Sequence, residues 1–429
     1  MKLFAIVCFL ILVSYSSCTS QTEESVKKDA KKVFSDSIQT VTLTAVGDLM
    51  CHGMQYKYAF RADSNRYDFA DVYEAVSEYL SAADLTMGNL ETVLAGKTTD
   101  FSGYPQFNSP NEYADGVKKA GFDVLITSNN HSYDKGEAGI LRTLEELQKR
   151  NLTPIGTYTS EKDRDSIRIV DLKGIKIALL AYTQFSNVGR PSSKKYLLNQ
   201  IDSLVPVEKD ILAARKKGAE IVLINYHWGN EYQREPNEYQ RFIAKKTFEL
   251  GADIVIGHHP HSLQPTQLIP KNKSNVGLDT GFIAYSLGNF YSNQRWRYSD
   301  AGAILTLKLS KNKNTGKITL KSEYVPVWVF RGVAGKRNRF IVLPSYAAYS
   351  DRFPNFLKHL IPSQMEFLTH QDKKLMLQAD EDSRFTMTRY QVPLKLALWG
   401  KLPSSEYLSS PKSKFYSLHL DWKGVEIKK

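Results

Sequence analysis

Cysteine is scarce in this 429-residue sequence, which has three: Cys8, Cys18 and Cys51. Cys8 lies inside an N-terminal apolar run and Cys18 just after it, so only Cys51 is left for a folded domain. An internal disulfide framework is thereby excluded. Long apolar runs are lacking as well. Leu3 to Val13 is an unbroken stretch of eleven apolar residues, short of the ~20 that span a bilayer but suited to the core of a secretory signal. What the sequence does have is 42% hydrophobic residues, enough for a substantial core, which argues against a disordered or fibrous chain. Histidine is sparse at nine, so where the histidines fall carries information.

The apolar run ends in Ser16, Ser17 and Cys18, which resembles a lipoprotein processing box, with Tyr15 where an aliphatic residue is usual. We expect residues 1-18 to be a signal peptide ending at the acylated Cys18; ordinary secretion or an uncleaved anchor are the alternatives. Residues 19-40 are polar, rich in serine and lysine, and read as a flexible tether. The formal net charge of +12 is spread over patches such as "KKDAKK" and "KNKNTGK". It favours anionic partners, namely a polyanionic polymer, a phosphate ester or a membrane surface. No nucleic-acid partner is expected.

From residue 41 onward short apolar runs alternate with segments of helical period, the pattern of an α/β sheet with helices packed on it. The runs include "VTLTAVGD", "ADLTMGNLE", "FDVLITSNNH", "IKIALLAYT", "AEIVLINYHWG", "ADIVIGHHPH" and "GFIAYSLGNF". Helices are expected over 69-82, 139-150, 206-217 and 237-250. After residue 300 the texture changes to antiparallel strands, with "KNTGK" as a hairpin turn. Residues 41-344 are expected to form the main domain and 345-429 a helical or mixed extension packed on it.

Several runs finish in Asp, Asn, Glu or His, and ligands of α/β sheets collect outside the carboxyl ends of strands. The candidates are Asp48 with His52, Asn89 with Glu91, Asn130 with His131, then His227, and the "GHHPH" cluster of His258, His259 and His261. Oxygen and nitrogen ligands without thiolates suit Mn, Fe, Zn or Mg, and two such divalent ions can activate water and neutralise a phosphate. His52, Asp134, Glu231 and Gln264 are expected to orient the ligating side chains from behind. Cys51 is expected to be a small buried residue. Lys135, Arg190 and Arg234 are candidates for contact with an anionic substrate. His359, His370 and His419 fall singly and are expected to be structural or exposed.

The ordered motifs "GD", "GNLE", "NNHSYDKG", "HWGNE", "GHHPHSLQ" and "YSLGNF" resemble the bacterial capsule-synthesis family of the CapA type, the poly-γ-glutamate biosynthesis proteins, over roughly residues 41 to 292. That family is similar to calcineurin-like metallophosphoesterases. The resemblance implies a two-sheet sandwich flanked by helices (four-layer αββα) and a dinuclear metal centre. It implies metal-binding or catalytic roles for Asp48, Asn130 and His131, with His131 as general acid or phosphate contact. It implies metal ligation by His227 and by two members of the 258–261 cluster, without saying which two. Three departures stand out. Asp48 and His52 are spaced Asp-x-x-x-His instead of Asp-x-His, and the cluster has one residue more than Gly-His-x-His. Asn89 stands where the phosphoesterases have a bridging aspartate, so the bridge must come from Glu91 or be absent.

The function implied is envelope-located biosynthesis of a capsule or similar anionic polymer by a metal-dependent hydrolase or transferase. Its partners would be that polymer or a precursor, the membrane through the lipid anchor, and capsule-assembly proteins. Two alternatives are a non-catalytic polyanion-binding component of assembly or export, and an envelope metallophosphoesterase.

Overall fold

The computed structural model describes residues 37–97, 99–271, 276–348, 367–390, 392, 394–396, 419–420 and 426–427. The expected signal peptide, Cys18, most of the tether and His359 lie outside the described residues.

The first half supplies β1 (Ile38–Leu49), β2 (Leu85–Leu90), β3 (Val124–Ile126), β4 (Thr153–Ile155), β5 (Arg168–Leu172) and β6 (Ile175–Thr183). Next come β7 (Ile221–His227), β8 (Ile254–His258), β9 (Leu263–Pro270), β10 (Thr280–Leu287) and β11 (Asn289–Tyr291). Three long strands follow, β12 (Ala301–Asn312), β13 (Ile318–Ala334) and β14 (Arg337–Pro344). One sheet runs β14-β13-β12-β1-β2-β3-β4, with β11 beside the end of β1; the other runs β9-β10-β8-β7-β6-β5.

The two sheets pack face to face. Val41, Leu43, Met87, Val124 and Ile126 from the first share one buried cluster with Ile177, Leu179, Leu223, Ile254 and Phe282 from the second. Their strands are rich in β-branched and aliphatic residues because both faces are covered. Outside the first sheet lie the helices α1 (Gly53–Ala59), α2 (Ser77–Ser81) and α3 (Glu112–Lys119), and α4 (Gly136–Gln148) follows in the chain. Outside the second lie α5 (Val205–Lys216) and α6 (Glu238–Glu249), burying Val207, Ile211, Ile243, Ala244 and Phe248 against its outer face. The expected four layers, helix-sheet-sheet-helix, are present.

Three details differ from the sequence reading. The tether was expected to reach residue 40, but Ile38, Gln39 and Thr40 already pair with Asn312, Lys311 and Ser310, a partner that no local pattern reveals. The single helix over 69–82 is a turn, a short 3-10 segment (Glu74–Val76) and α2, because the Asp68 carboxylate accepts the amide of Ala70 and closes a turn there. Its apolar face is nonetheless buried. Strand β9 was not expected, since Pro265 and Pro270 interrupt the pattern; among the described residues it pairs only with β10, and a sheet edge tolerates proline.

Beyond β14, α7 (His370–Thr388) opens with Thr369 as its N-cap, accepting from the Asp372 amide at 3.1 Å. It packs on β9, β12 and β13, and His370 at its start is exposed.

Candidate metal centre

Strands β1, β2 and β3 are mutually parallel, as are β6, β7, β8 and β10, so both sheets direct their carboxyl ends to one edge of the sandwich. Register sets Asp48 beside Asn89, and His258 beside His227. Two glycines permit the close approach. A Cβ on Gly47 would lie 1.9 Å from the Gly288 carbonyl oxygen, and one on Gly257 would lie 1.9 Å from that of Tyr285. The glycine that opens "GHHPH" is therefore a packing requirement of β8 against β10. His259 and His261 then take positive φ of 96° and 52°, a costly backbone for non-glycine residues that aims both rings into the edge.

Asp48, Asn89, Glu91 and His227 are fully buried, and His258, His259 and His261 nearly so. Asp48 Oδ2 lies 3.0 Å from His261 Nδ1, and Asp48 Oδ1 accepts from Asn89 Nδ2 at 2.8 Å and lies 3.8 Å from His258 Nδ1. Glu91 Oε1 lies 3.5 Å from His261 Nε2 and 3.8 Å from His227 Nε2. His227 Nε2 also lies 2.9 Å from Asn130 Oδ1. Three groups of ligand atoms, each within 4.8 Å of one another, result: Asp48–Glu91–His261, Glu91–His227–His259 and Glu231–His259–His261. Glu91 belongs to two of them.

Asn89 occupies the middle. Its Nδ2 points at Asp48, at Glu91 Oε2 (3.1 Å) and at His227 Nδ1 (3.3 Å), while its oxygen accepts from Asn129 Nδ2 at 3.2 Å. In this orientation the atom facing the carboxylates is a donor without a lone pair. Asn129, the first asparagine of "NNHSYDKG" and not among the candidates, also bonds the Leu90 carbonyl and accepts the His131 amide. Asn225, likewise missed, sits 3.4 Å behind His258 Nε2; its only signal was an amide in the otherwise apolar run of β7.

The electrostatics follow from burial. Burial pushes His258 down to about 4, His259 to about 3 and His227 well below the ordinary 6.5, with neighbouring imidazoles adding to the effect for the last two. These rings are neutral at pH 7 and keep lone pairs for a cation. For Asp48, burial works upward, but the His261 hydrogen bond and the charges of His261 and His258 hold the carboxyl below its usual value. Glu91 goes the other way, raised by burial and then by the Asp48 and Glu231 charges. Glu91 Oε1, His258 Nδ1 and His259 Nδ1 are buried without any hydrogen-bond partner. Orphaned atoms of these ligand types in one place fit a divalent cation and fit a closed protein core poorly.

His131 stands beside this cluster, close enough for its charge to lower His227 and His259. Its Nδ1 is 2.7 Å from Asp134 Oδ2, which also accepts the Phe107 amide at 2.7 Å, and the Phe107 ring meets the imidazole edge-on at 4.7 Å. Two of the other expected supporting residues, His52 and Gln264, have different partners. His52 Nδ1 faces Gln55 at 3.0 Å, and Gln264 bonds Gln240 and the carbonyls of Gln233 and Glu235. Cys51 is fully buried, its thiol pushed up to about 12 by burial. Arg190 is engaged by Asp202 and two carbonyls, and Arg234 by Thr386.

Residues 42–294 match the family described as bacterial capsule synthesis protein PGA_cap. The chain belongs to this family. The "Capsule biosynthesis protein CapA" of Bacillus anthracis is 31% identical over 281 residues, covering 64% of this chain and 65% of that protein. The chain thus spans just under two thirds of that relative's length. The "PGA biosynthesis protein CapA" of Bacillus subtilis (strain 168) is 30% identical over 300 residues, 68% of this chain and 73% of that protein. Among solved structures, a Mycoplasma pneumoniae phosphatase shares 13% identity at a TM-score of 0.41 over 68% of this chain and 94% of its own. The NAD nucleotidase of Haemophilus influenzae shares 10% at 0.41 over 89% and 60%. Among the described residues of this family member, no helix is long and apolar enough to cross a membrane.

Proposed function

We propose that this family member is a cell-envelope protein, held by a lipidated Cys18, that acts as a metal-dependent hydrolase or transferase on a capsule-type anionic polymer or its precursor. The observation that carries the reading is the buried set of partnerless ligand atoms in which Glu91 is common to two triads. Asp48, Glu91, Asn130, His227 and the 258–261 cluster would hold two divalent ions, Mn, Fe, Zn or Mg, with Glu91 in the place of the missing bridging aspartate. Such ions supply Lewis-acid activation of water and neutralise charge developing on the substrate. Asn89 keeps two carboxylates together by donating to both. His131, its Nδ1 committed to Asp134, would give a proton held on Nε2 to a leaving group. The +12 net charge supports an anionic substrate.

Metal content of the full chain, purified without a histidine tag, tests the reading by mass spectrometry beside a His259→Ala/His261→Ala variant. We expect close to two transition-metal ions per chain, lost in the variant; an empty site after metal supplementation would refute it. A second reading, a polyanion-binding component without catalysis, draws on the neutral Asn89 in the bridging position. It requires polymer binding that weakens steeply with salt and ignores chelators.

A further inference from the structure

Residues 228–237, which join β7 to α6, carry Glu231, an exposed carboxylate whose oxygen falls within ligand range of His259 and His261. Beside the deep cluster, where Asp48 and Glu91 are fully buried, this third triad lies at the open face of the site. An exposed loop would not by itself hold a carboxylate against two buried imidazoles. This loop is fastened on both flanks.

On the site side, the Tyr232 amide donates to the Pro260 carbonyl at 2.6 Å, and Gln294 Nε2 donates to the Tyr232 hydroxyl at 3.2 Å. Ser262 and Gln264 side chains donate to the Gln233 carbonyl at 3.0 and 2.9 Å. On the far side the anchor is α7. Arg234 donates to Thr386 Oγ1 at 3.0 Å and lies 3.9 Å over the Tyr298 ring. The same ring lies 4.7 Å from Arg297, whose fork pairs with both oxygens of Asp382 at 2.9 Å. Glu235 accepts from the Tyr390 hydroxyl at 2.9 Å and pairs with Arg389.

We propose that Glu231 completes an outer divalent-cation position with His259 and His261, and that α7 and the two residues after it set its affinity by holding the Glu231 loop through Arg234 and Glu235. This rests on the reading of the buried cluster as a metal centre. Glu231 ligates directly, with a role beyond orienting imidazoles; Arg234 is a positioning residue, and Gln264 earns its place in "GHHPHSLQ" by pinning the loop backbone. Because His259 belongs also to the triad with Glu91 and His227, the outer ion adjoins the buried ones at a shared imidazole.

The test is calorimetric titration of the metal-stripped full chain with Mn2+ alone, in wild type, Glu231→Gln and Arg234→Ala, with thermal unfolding of each metal-free form. We expect wild type to show the tight binding of the buried ions and a further, weaker step for the outer position. Glu231→Gln should lose the weaker step or weaken it by more than about tenfold, and Arg234→Ala should weaken that same step by about tenfold while the tighter step and the unfolding temperature stay close to wild type. Glu231→Gln titrating as wild type overturns the outer position. Arg234→Ala titrating as wild type overturns the part given to α7. Wild type taking up no Mn2+ refutes the metal centre itself, an outcome distinct from either.

Discussion

Asn89 decides the charge of the centre. Its amide nitrogen donates to Asp48 and to Glu91, so two buried carboxylates are tolerated without a cation between them. A third carboxylate there would remove the donor and add repulsion. Asn89→Asp should therefore lower the unfolding temperature of the metal-free protein and increase its stabilisation by Mn2+; a variant that melts like wild type both with and without Mn2+ would contradict this account. His131 offers the second residue-scale prediction. With Nδ1 held by Asp134, its loss removes a proton donor without opening the fold. His131→Ala should reduce turnover by about 10²–10⁴-fold with an unchanged unfolding temperature, and retained turnover would remove it from the proposed role. That these residues would meet at one edge of the sheets was legible in the sequence, because each ends an apolar run. Which atom of Asn89 faces the carboxylates was not, since Asn129, forty residues away, sets it.

At the scale of elements, α7 and the long strands β12 and β13 enclose a buried charged layer. Asp300 accepts from Trp328 Nε1 at 3.2 Å. Burial pushes its carboxyl up to about 7, with Arg295 opposing and Asp382 assisting. A carboxyl raised on folding contributes stability that is complete below its unfolded value of 3.8 and is lost as pH rises to about 7. By linkage this amounts to at most about 4 kcal/mol. Asp300→Asn should abolish that loss, so denaturant unfolding of variant and wild type should diverge between pH 4 and 7, the variant being the more stable at pH 7; parallel profiles would refute the assignment. Nothing local announces this layer. Helix α7 shows a cap and a helical period, but Arg297 and Asp382 are separated by 85 positions, and local pattern marks 345–429 only as an extension. The same reason hid β9, whose prolines are acceptable only because the sheet ends there.

For the whole molecule, stability rests on the interface between the sheets. Leu223 is fully buried within it. Leu223→Ala should cost about 2–5 kcal/mol, measured as a fall in the denaturant midpoint without change in slope; a cost under about 1 kcal/mol would mean the sheets do not pack as described. The alternation of strands and helices was foreseeable from the periods, and the two-sheet layering only from the family resemblance that the ordered motifs carry. The position of β1 in the middle of its sheet was not.

That position governs the order in which the chain can assemble. Thr40 and Ser310 face each other across β1 and β12 although 270 positions separate them. A chain delivered N-terminus first can join β1 to β2 early, yet the opposite edge of β1 stays open until residue 312 has emerged. An open strand edge is a template for wrong pairing, and contacts this remote in sequence are slow to form. By then His227 and the 258–261 cluster have already emerged. Sealing of the first sheet therefore comes after all the candidate ligands are in hand, and a nascent chain stopped short of residue 300 would carry every one of them on an unfinished and aggregation-prone sandwich.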